Sequence, residues 1–240
     1  IRSAVPAVAA ALDGGAPNLT SAVGAVLPSG ASGPVFGAVE GGYQVLLDAL
    51  IGAAGARMVG APVTEITPDG TDWTVTDGTG ATWHADGVVV ATSAPQASAL
   101  LSTAAPRAAD VAGCVEVASA AVLALAMPPG TPFPPQSGAL VATGENLHCK
   151  AITLSSRKWG RTGGAELLRM SFGRFGDEIA RATPDRTLLD WAAEDLAAVF
   201  GIVADPVDVL VHRWIDALPQ YAPGHADLAA GIRAELPAGL

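Results

Sequence analysis

Apolar residues at helical spacing predict helices in four parts of the chain. The first lies within residues 1–13, and the stretch "YQVLLDALIGAAG" predicts a second helix that stops at Gly55. A third, rich in Leu and Ala, is expected to end near Gly201, because glycine readily adopts the left-handed conformation that terminates a helix. "GHADLAAGIRAEL" predicts the last helix, close to the end of the sequence.

Alternating and continuous apolar runs predict two kinds of strand in the first half of the chain. "DWTVTDGTGATWHADG" predicts a hairpin with Trp73 and Val75 on one face and with Asp77 and Gly78 in the turn. "GVVVATSAP" contains a wholly apolar run at residues 88–91. Because a strand covered on both faces needs apolar residues at every position, this run predicts a buried strand.

The second half of the chain is also rich in predicted strands. Residues 114–127 are almost entirely apolar and predict another buried strand, whereas "ELLRMSFGRFG" alternates, with Leu168, Met170 and Phe172 on one face. Shorter strands are predicted at 138–142, at 150–155 and in "PVDVLVHRW". Strands and helices are therefore mixed along the sequence, which predicts an α/β (mixed α+β) fold.

Composition and charge narrow the function classes. Half of the 240 residues are hydrophobic and 15% are charged, which is typical of a globular protein. The net charge of −10 argues against nucleic acid as a partner, because proteins that bind phosphate backbones concentrate Lys and Arg. Cys114 and Cys149 fit no metal spacing, and buried free thiols are favoured over a disulfide, as in a reducing cytoplasm.

Motifs that would identify a catalytic residue are absent from these 240 residues. No Walker loop, HExxH, GxSxG, CxxC or GxGxxG occurs, and "GAVEGG" precedes a helix without following a predicted strand. The four His are scattered, which predicts no metal site. The acids predict no pair of catalytic carboxylates, so no catalytic residue is named. This pattern is typical of enzymes that leave the chemistry to a cofactor.

Three combinations of segments, taken in order, carry a family resemblance. They are the opening stretch, the series helix–"VTEI"–Trp73 hairpin–"ADGVVVAT", and "CKAITLSSRKW" followed by "LLRMSFGRFGDE". In this order and spacing they resemble the oxygen-dependent coproporphyrinogen and protoporphyrinogen oxidases of haem biosynthesis, within the flavin amine oxidase superfamily. The similarity is greatest to the high-GC Gram-positive form, whose substrate is coproporphyrinogen III. It extends over essentially the whole chain.

The resemblance implies a fold and a division into domains. The expected fold is the middle part of a FAD-binding Rossmann-like domain plus a mixed-sheet substrate-binding domain with covering helices. The family's N-terminal GxGxxG segment and its C-terminal FAD segment have no counterpart here, so the chain is expected to be a central fragment that is inactive alone. The implied segments are a helical substrate- or membrane-associated tail (1–36), the middle of the FAD domain (37–109), the substrate domain (110–206) and a return to the FAD domain (207–240).

The resemblance also assigns candidate binding residues. Val63, in "PVTEI", matches the position whose backbone contacts the adenine end of FAD, whereas the sequence alone favours an ordinary core valine. Trp214 matches the aromatic position beside the cofactor, where an indole forms a rigid apolar wall; the alternative is a core Trp. Arg174 is the preferred partner for a substrate propionate. The other basic candidates are Arg157, Lys158 and Arg169, and surface charge is the favoured explanation for Arg157 and Lys158.

The implied reaction is an aromatisation in which FAD takes hydride from the porphyrinogen and O2 reoxidises it, giving H2O2. Besides substrate and O2, the expected partners are a peripheral membrane surface and pathway neighbours of the ferrochelatase type, in the cytoplasm. No apolar run reaches the ~18 residues that a membrane span needs. Two alternatives stay open: another superfamily enzyme, such as an amine oxidase or carotenoid desaturase, and a non-enzymatic porphyrin-binding domain.

Overall fold

The computed structural model describes residues 2, 5–27, 37–161 and 164–240. The start of the helix predicted over 1–13 therefore lies outside the described residues. The helices are α1 (Pro6–Asp13), α2 (Leu19–Val26), α3 (Tyr43–Ala54), α4 (Ala94–Leu101), α5 (Pro106–Gly113), α6 (Ser155–Lys158), α7 (Ile179–Ala182), α8 (Asp185–Phe200) and α9 (His225–Glu235). The strands are β1 (Val63–Asp69), β2 (Asp72–Asp77), β3 (Thr82–Ala85), β4 (Val117–Met127), β5 (Gly138–Leu140), β6 (Ala151–Thr153), β7 (Glu166–Phe172) and β8 (Asp208–Pro219).

These elements confirm the mixed α and β class, and they form two compact units. The first unit contains Ile1–Glu116 and Pro219–Leu240, and the second contains Val117–Leu218. Two of the predicted helix ends, and the last predicted helix, are confirmed. Gly55 and Gly201 end α3 and α8 with φ of 61° and 69°, as expected for left-handed glycine caps, and the last predicted helix is α9.

In the first unit, β1, β2 and β3 form an antiparallel sheet in that order. Trp73 faces Ala85 and Val75 faces Trp83, which confirms the hairpin predicted from the alternation. Trp73 is buried, and so is Ile66 of β1. A separate apolar cluster joins α4 and α5 to α9 through four buried residues, Leu101, Ala105, Ala108 and Ala109.

The prediction of a buried strand at residues 88–91 is wrong for the described part of the molecule. The segment belongs to no strand, and a hydrogen bond joins the Val88 N–H to the Gly239 carbonyl (2.8 Å). Val89 is 91% exposed. Val88 and Val90 are half-buried, and Val90 packs against the α4–α5 cluster. A strand needs a hydrogen-bonded neighbour, and a hydrophobic pattern does not supply one.

In the second unit, a five-stranded sheet has the order β5-β6-β7-β4-β8. The predicted alternation in β7 is confirmed, because Leu168, Met170 and Phe172 are buried on one face. That face packs against α8 through Leu188 and Leu196. The opposite face carries the intervening residues, among them the exposed Arg169, and it is called the open face below.

Gly138 explains how β5 approaches β6 so closely. Its φ is 147°, and a Cβ at this position would lie 2.1 Å from the carbonyl oxygen of Ile152. No side chain fits in that space, so glycine is required where this edge strand begins.

The two cysteines are free, as predicted, but only one of them is buried. Cys149 is 1% exposed, and its N–H donates to the carboxylate of Asp195 (2.8 Å), which is itself 2% exposed. Burial, followed by the hydrogen bond to Asp195, raises the pKa of the Cys149 thiol to about 12. Cys114 is exposed at the end of α5, so its predicted burial is wrong.

Helix α3 is apolar but has no buried side chain among the described residues. The exposed apolar residues, Tyr43, Val45, Leu46, Leu47 and Leu50, are each more than 40% accessible. The helix is also short: within the part of the chain that the structure describes, no helix has the length and apolar character needed to cross a membrane.

Candidate functional site

A pocket of about 560 Å³ lies in the first unit beside the predicted FAD-contacting residue. Its walls come from the start of β1, from the extended segment 88–92 and from α4. Val63, the first residue of β1, is 41% exposed and lines this pocket. The volume lies within the range of ordinary small-molecule sites.

The pocket lining is mainly apolar, with a few polar groups. Valine, isoleucine and leucine side chains form most of it, and Thr64, Thr92 and Gln96 supply the polar atoms. The Thr64 hydroxyl donates to the carbonyl of Thr76 (3.2 Å). The Gln96 amide has no hydrogen-bond partner recorded among the described residues, so its donors and acceptor can bind a ligand. A flat heteroaromatic ring with polar edge atoms fits this lining.

The β2–β3 hairpin fixes the position of Val63. Val63 pairs with Asp77, the last residue of β2, and a bulge follows between Val63 and Glu65. The Asp77 carboxylate accepts from the N–H (2.9 Å) and hydroxyl (2.6 Å) of Thr79 and from Nε1 of Trp83 (3.2 Å). These bonds, with the Thr79 hydroxyl first, lower the pKa of Asp77. The turn is therefore held by a charged acceptor, and the start of β1 with it.

Trp214 lies on the open face of the five-stranded sheet, in the second unit. It is 50% exposed, and its ring meets that of His212 edge-on at 4.5 Å. Val211 and Arg213, the neighbours on the other side of β8, face the α8 side of the sheet. Trp214 is thus half exposed in this unit, and its place beside a cofactor stays a prediction.

A backbone irregularity follows Trp214 directly. Asp216 has φ of 49°, a left-handed conformation that is uncommon for a residue other than glycine. Its N–H donates to the hydroxyl of Ser119 on β4 (3.0 Å), and its carboxylate pairs with Arg181. The hydrogen bond from Arg181 is the main cause that lowers the pKa of Asp216. These contacts of Asp216 join β8 to β4 and to α7, two residues after Trp214.

The structure places Arg174 in the loop after β7. Its guanidinium donates to the carbonyl of Val141 (3.0 Å), and its N–H donates to the carboxylate of Asp177 (2.7 Å). The residue is exposed, so its remaining donors are accessible. Arg174 therefore stays a predicted carboxylate partner, although part of its donor capacity serves the loop.

The other basic candidates differ in their surroundings. Arg157 pairs with Glu166 at 3.1 Å, and Lys158 lies 5.0 Å from the centre of the Trp159 ring. Arg169 is exposed on the open face, and no carboxylate of the described residues lies within ion-pair distance. It lines a second pocket, of about 370 Å³.

Sequence reasoning missed two residues that the pockets bring forward, Gln96 and Arg161. Gln96 follows the junction between an extended apolar segment and a helix, which is the usual ligand position in α/β sheets, so the signal was present. Arg161 lines the second pocket with Arg169, but no periodicity connects the two residues because Arg161 lies outside the strand that carries Arg169. Among the described residues, no group of three or more His, Cys, Asp or Glu is placed to bind a metal ion.

Comparison with known proteins identifies the family. The flavin containing amine oxidoreductase family matches residues 6–239, almost the full length of the chain. The chain belongs to this family. It is also 54% identical over 237 residues to a coproporphyrinogen III oxidase of Mycobacterium leprae (strain TN), covering 99% of this chain and 52% of that protein. The predicted resemblance is therefore confirmed, and the chain spans about half the length of the curated relatives it matches.

Solved structures agree on the fold. A putative protoporphyrinogen oxidase from Exiguobacterium sp. 255-15 superposes with a TM-score of 0.76 at 23% identity, covering 98% of this chain and 51% of that one. A UDP-galactopyranose mutase gives 0.63 at 16% identity, over 81% of this chain and 44% of its own. At these identities the likeness concerns the fold, and it confirms the flavin amine oxidase-like architecture.

Proposed function

We propose that this chain forms part of a FAD-dependent oxidase that converts coproporphyrinogen III to coproporphyrin III with O2 as acceptor and H2O2 as product, in haem biosynthesis. The observation that carries the proposal is the 54% identity, along nearly the whole chain, to a protein named coproporphyrinogen III oxidase. Family membership supports a flavin as the cofactor. The pocket beside Val63 and the open face that carries Trp214 are candidate surfaces for binding the cofactor and the substrate.

The pocket beside Val63 has the chemistry that the adenine end of FAD requires. Its lining is mainly apolar, it holds about 560 Å³, and the unpartnered amide of Gln96 can bond to the edge of a purine. In the proposal, the backbone and side chain of Val63 contact the ring, and the Asp77 turn keeps β1 in register. The residues present therefore fit the cofactor that the family implies.

The open face of the five-stranded sheet has the chemistry that a tetrapyrrole requires. Trp214 offers a flat apolar wall suited to a flavin or a tetrapyrrole ring, and Arg161 and Arg169, which have no ion pair among the described residues, lie on the same unit. When bound, a flavin accepts hydride from the porphyrinogen and passes the electrons to O2. The protein's own contribution is to hold the macrocycle flat and to limit its contact with water, which requires no acid–base pair. Peripheral membrane contact and neighbouring ferrochelatase-type enzymes belong to the same proposal.

The test uses the natural gene product that carries these 240 residues. Coproporphyrinogen III is supplied under air, porphyrin formation is followed by fluorescence, and released H2O2 and extracted flavin are quantified. The expected result is oxidation at a rate above the uncatalysed one, with FAD as the flavin. An enzyme that contains flavin but oxidises amines or carotenoids instead would favour the superfamily alternative, and porphyrin binding without flavin would favour the non-enzymatic one.

Two matched substitutions connect the activity to the pocket. Val63→Arg places a charged side chain in an apolar wall and is expected to lower both FAD occupancy and the oxidation rate. Val203→Arg introduces the same side chain at a position that is 90% exposed and should leave both unchanged. Full FAD occupancy in Val63→Arg would remove this pocket from the cofactor site.

A further inference from the structure

The second pocket lies entirely within the five-stranded sheet unit and contains two arginines. It holds about 370 Å³ and is lined by residues of β4, β7 and β8, by the start of α6 and by the segment that follows α6. Arg169 and Arg161 supply positive charge, Trp159 supplies an aromatic surface, and small or aliphatic residues such as Ala124 and Leu210 supply apolar area. The pocket is therefore cationic and apolar at once.

The guanidinium of Arg169 is available to a ligand. In the register of the sheet Arg169 lies between Ala124 on β4 and Thr153 on β6, so both of its cross-strand neighbours are small. No described carboxylate lies within ion-pair distance of Arg169 or of Arg161, although the chain has 23 acidic residues and 13 Lys and Arg. In such an acidic protein, two arginines in one pocket without carboxylate partners indicate an external anion.

The carboxylate that belongs to the pocket does not neutralise these cations. Asp208 is part of the lining, but its Oδ1 accepts a hydrogen bond from the N–H of Val209 at 2.9 Å. Neither arginine forms an ion pair with it. The pocket thus keeps a net positive charge. Lys158, which lies 5.0 Å from the centre of the Trp159 ring, adds a further cation beside it.

Strand geometry connects this pocket to Trp214. Leu210 lines the pocket, and Leu210 and Trp214 lie on the same face of β8 because residues four apart in a strand face the same way. At the rise of a strand they are about 14 Å apart. A flat ligand that contacts Trp214 and extends along β8 therefore reaches the pocket with groups on its rim.

We infer that this pocket binds carboxylate side chains of the tetrapyrrole substrate, with Arg169 and Arg161 as their partners. The inference rests on the proposed function for the identity of the substrate. A guanidinium presents a planar pair of donors that matches a carboxylate, and the apolar floor and Trp159 accommodate the methylene groups that carry it. Because the contacts are made to carboxylates, they favour a porphyrinogen with four of them over one with two.

The experiment measures binding and catalysis in the natural gene product. The probes are coproporphyrin III, protoporphyrin IX and laurate, with Kd from fluorescence, and KM and kcat are measured for coproporphyrinogen III. Arg169→Gln is expected to raise the Kd of coproporphyrin III and the KM about tenfold each, with kcat unchanged, since one charge-assisted contact is worth roughly that factor. Arg169→Lys should lie between Gln and wild type, and Arg161→Gln should act in the same direction as Arg169→Gln.

The control is Arg186→Gln. Arg186 is exposed on α8 and pairs only with Asp190, so the same substitution there should leave Kd and KM unchanged. Equal urea midpoints for wild type and Arg169→Gln would exclude a folding effect. A ratio of coproporphyrin to protoporphyrin affinity that falls toward one in Arg169→Gln supports the inference.

Three outcomes would overturn the inference. The first is a Kd for coproporphyrin III that is the same in wild type, Arg169→Gln and Arg161→Gln. The second is an equal loss of affinity for coproporphyrin III and protoporphyrin IX in these variants. The third is weakened laurate binding with an unchanged KM for coproporphyrinogen III. Failure of the proposed function gives a different result: neither the wild-type gene product nor any variant oxidises a porphyrinogen. In that case the Kd measurements still decide whether the two arginines bind a tetracarboxylate.

Discussion

Replacing Arg213 with methionine should destabilise the five-stranded sheet unit. Arg213 lies on β8 on the side opposite Trp214, and its side chain is 26% exposed. It donates to the carbonyls of Ala180 (2.7 Å) and Thr183 (2.8 Å), at the end of α7, and pairs with Asp185 at the start of α8. Carbonyls at the end of a helix have no partner within the helix, so this one side chain satisfies two of them.

The magnitude follows from these bonds. A hydrogen bond to a charged group contributes about 1.5–3 kcal/mol, and a buried carbonyl left without a donor costs a similar amount. Water can reach part of this partly exposed site, so the expected loss for Arg213→Met is about 3 kcal/mol in the free energy of unfolding. Arg186→Met removes an exposed ion pair on α8, the helix that also carries Asp185. It should lower the free energy of unfolding by less than about 0.5 kcal/mol.

The assay is equilibrium unfolding in urea, followed by tryptophan fluorescence. Trp191 on α8 stacks on His148 with ring centres 4.6 Å apart, so its emission reports on this packing. Arg213→Met should lower the urea midpoint of unfolding while leaving the slope of the transition unchanged. The midpoint of Arg213→Lys should lie between those of wild type and Arg213→Met. If Arg213→Met and Arg186→Met have equal midpoints, the guanidinium does not hold α7 and α8 to β8, and the reasoning is refuted.

Four further predictions concern other parts of the molecule. Trp214→Ala in the natural gene product should weaken flavin retention or turnover, and unchanged kinetics would remove Trp214 from the site. A thiol reagent should modify exposed Cys114 rapidly at pH 8 and Cys149 only after unfolding, because burial keeps the pKa of Cys149 at about 12; rapid labelling of both would contradict this. Asp77 has a lowered pKa, so its contribution to stability is present above pH ~4 and is lost as the pH falls through the folded-state value. Asp77→Asn should therefore be less stable at pH 7 and show a weaker loss of stability in acid, measured by thermal unfolding across pH. The 240-residue chain alone, which contains no GxGxxG, should purify without stoichiometric flavin absorbance; a yellow protein would contradict that expectation.

Local patterns predicted the elements whose partners are close in the sequence. The Trp73–Trp83 hairpin is specified by alternation and by a turn between adjacent strands, and the buried face of β7 by alternation alone. Gly201 ends α8 through its own backbone conformation. In each case the information lies within a few residues, which is why reading the chain locally is sufficient.

Features that depend on distant residues could not be predicted in this way. The apolar run at 88–91 indicated a strand, but pairing requires a neighbour that no local pattern specifies. Cys114 was expected to be buried from its residue type, whereas its position at the end of α5 leaves it exposed. Arg161 and Arg169 share a pocket only because α6 and the sheet fold together. Family resemblance supplied Val63 and Trp214, which no periodicity distinguishes from other apolar residues.

The two faces of the five-stranded sheet use arginine in opposite ways, and this difference supports a substrate surface. On the covered face, Arg213 bonds to two carbonyls and one carboxylate of its own unit, so its charge serves the fold. On the open face, Arg169 has small cross-strand neighbours and no carboxylate of the described residues in reach. Arg169, without an ion pair among the described residues, lies beside apolar residues and an aromatic ring. Its position is explained when an anionic, largely apolar ligand lies on that face, with Trp214 as the wall at the other end.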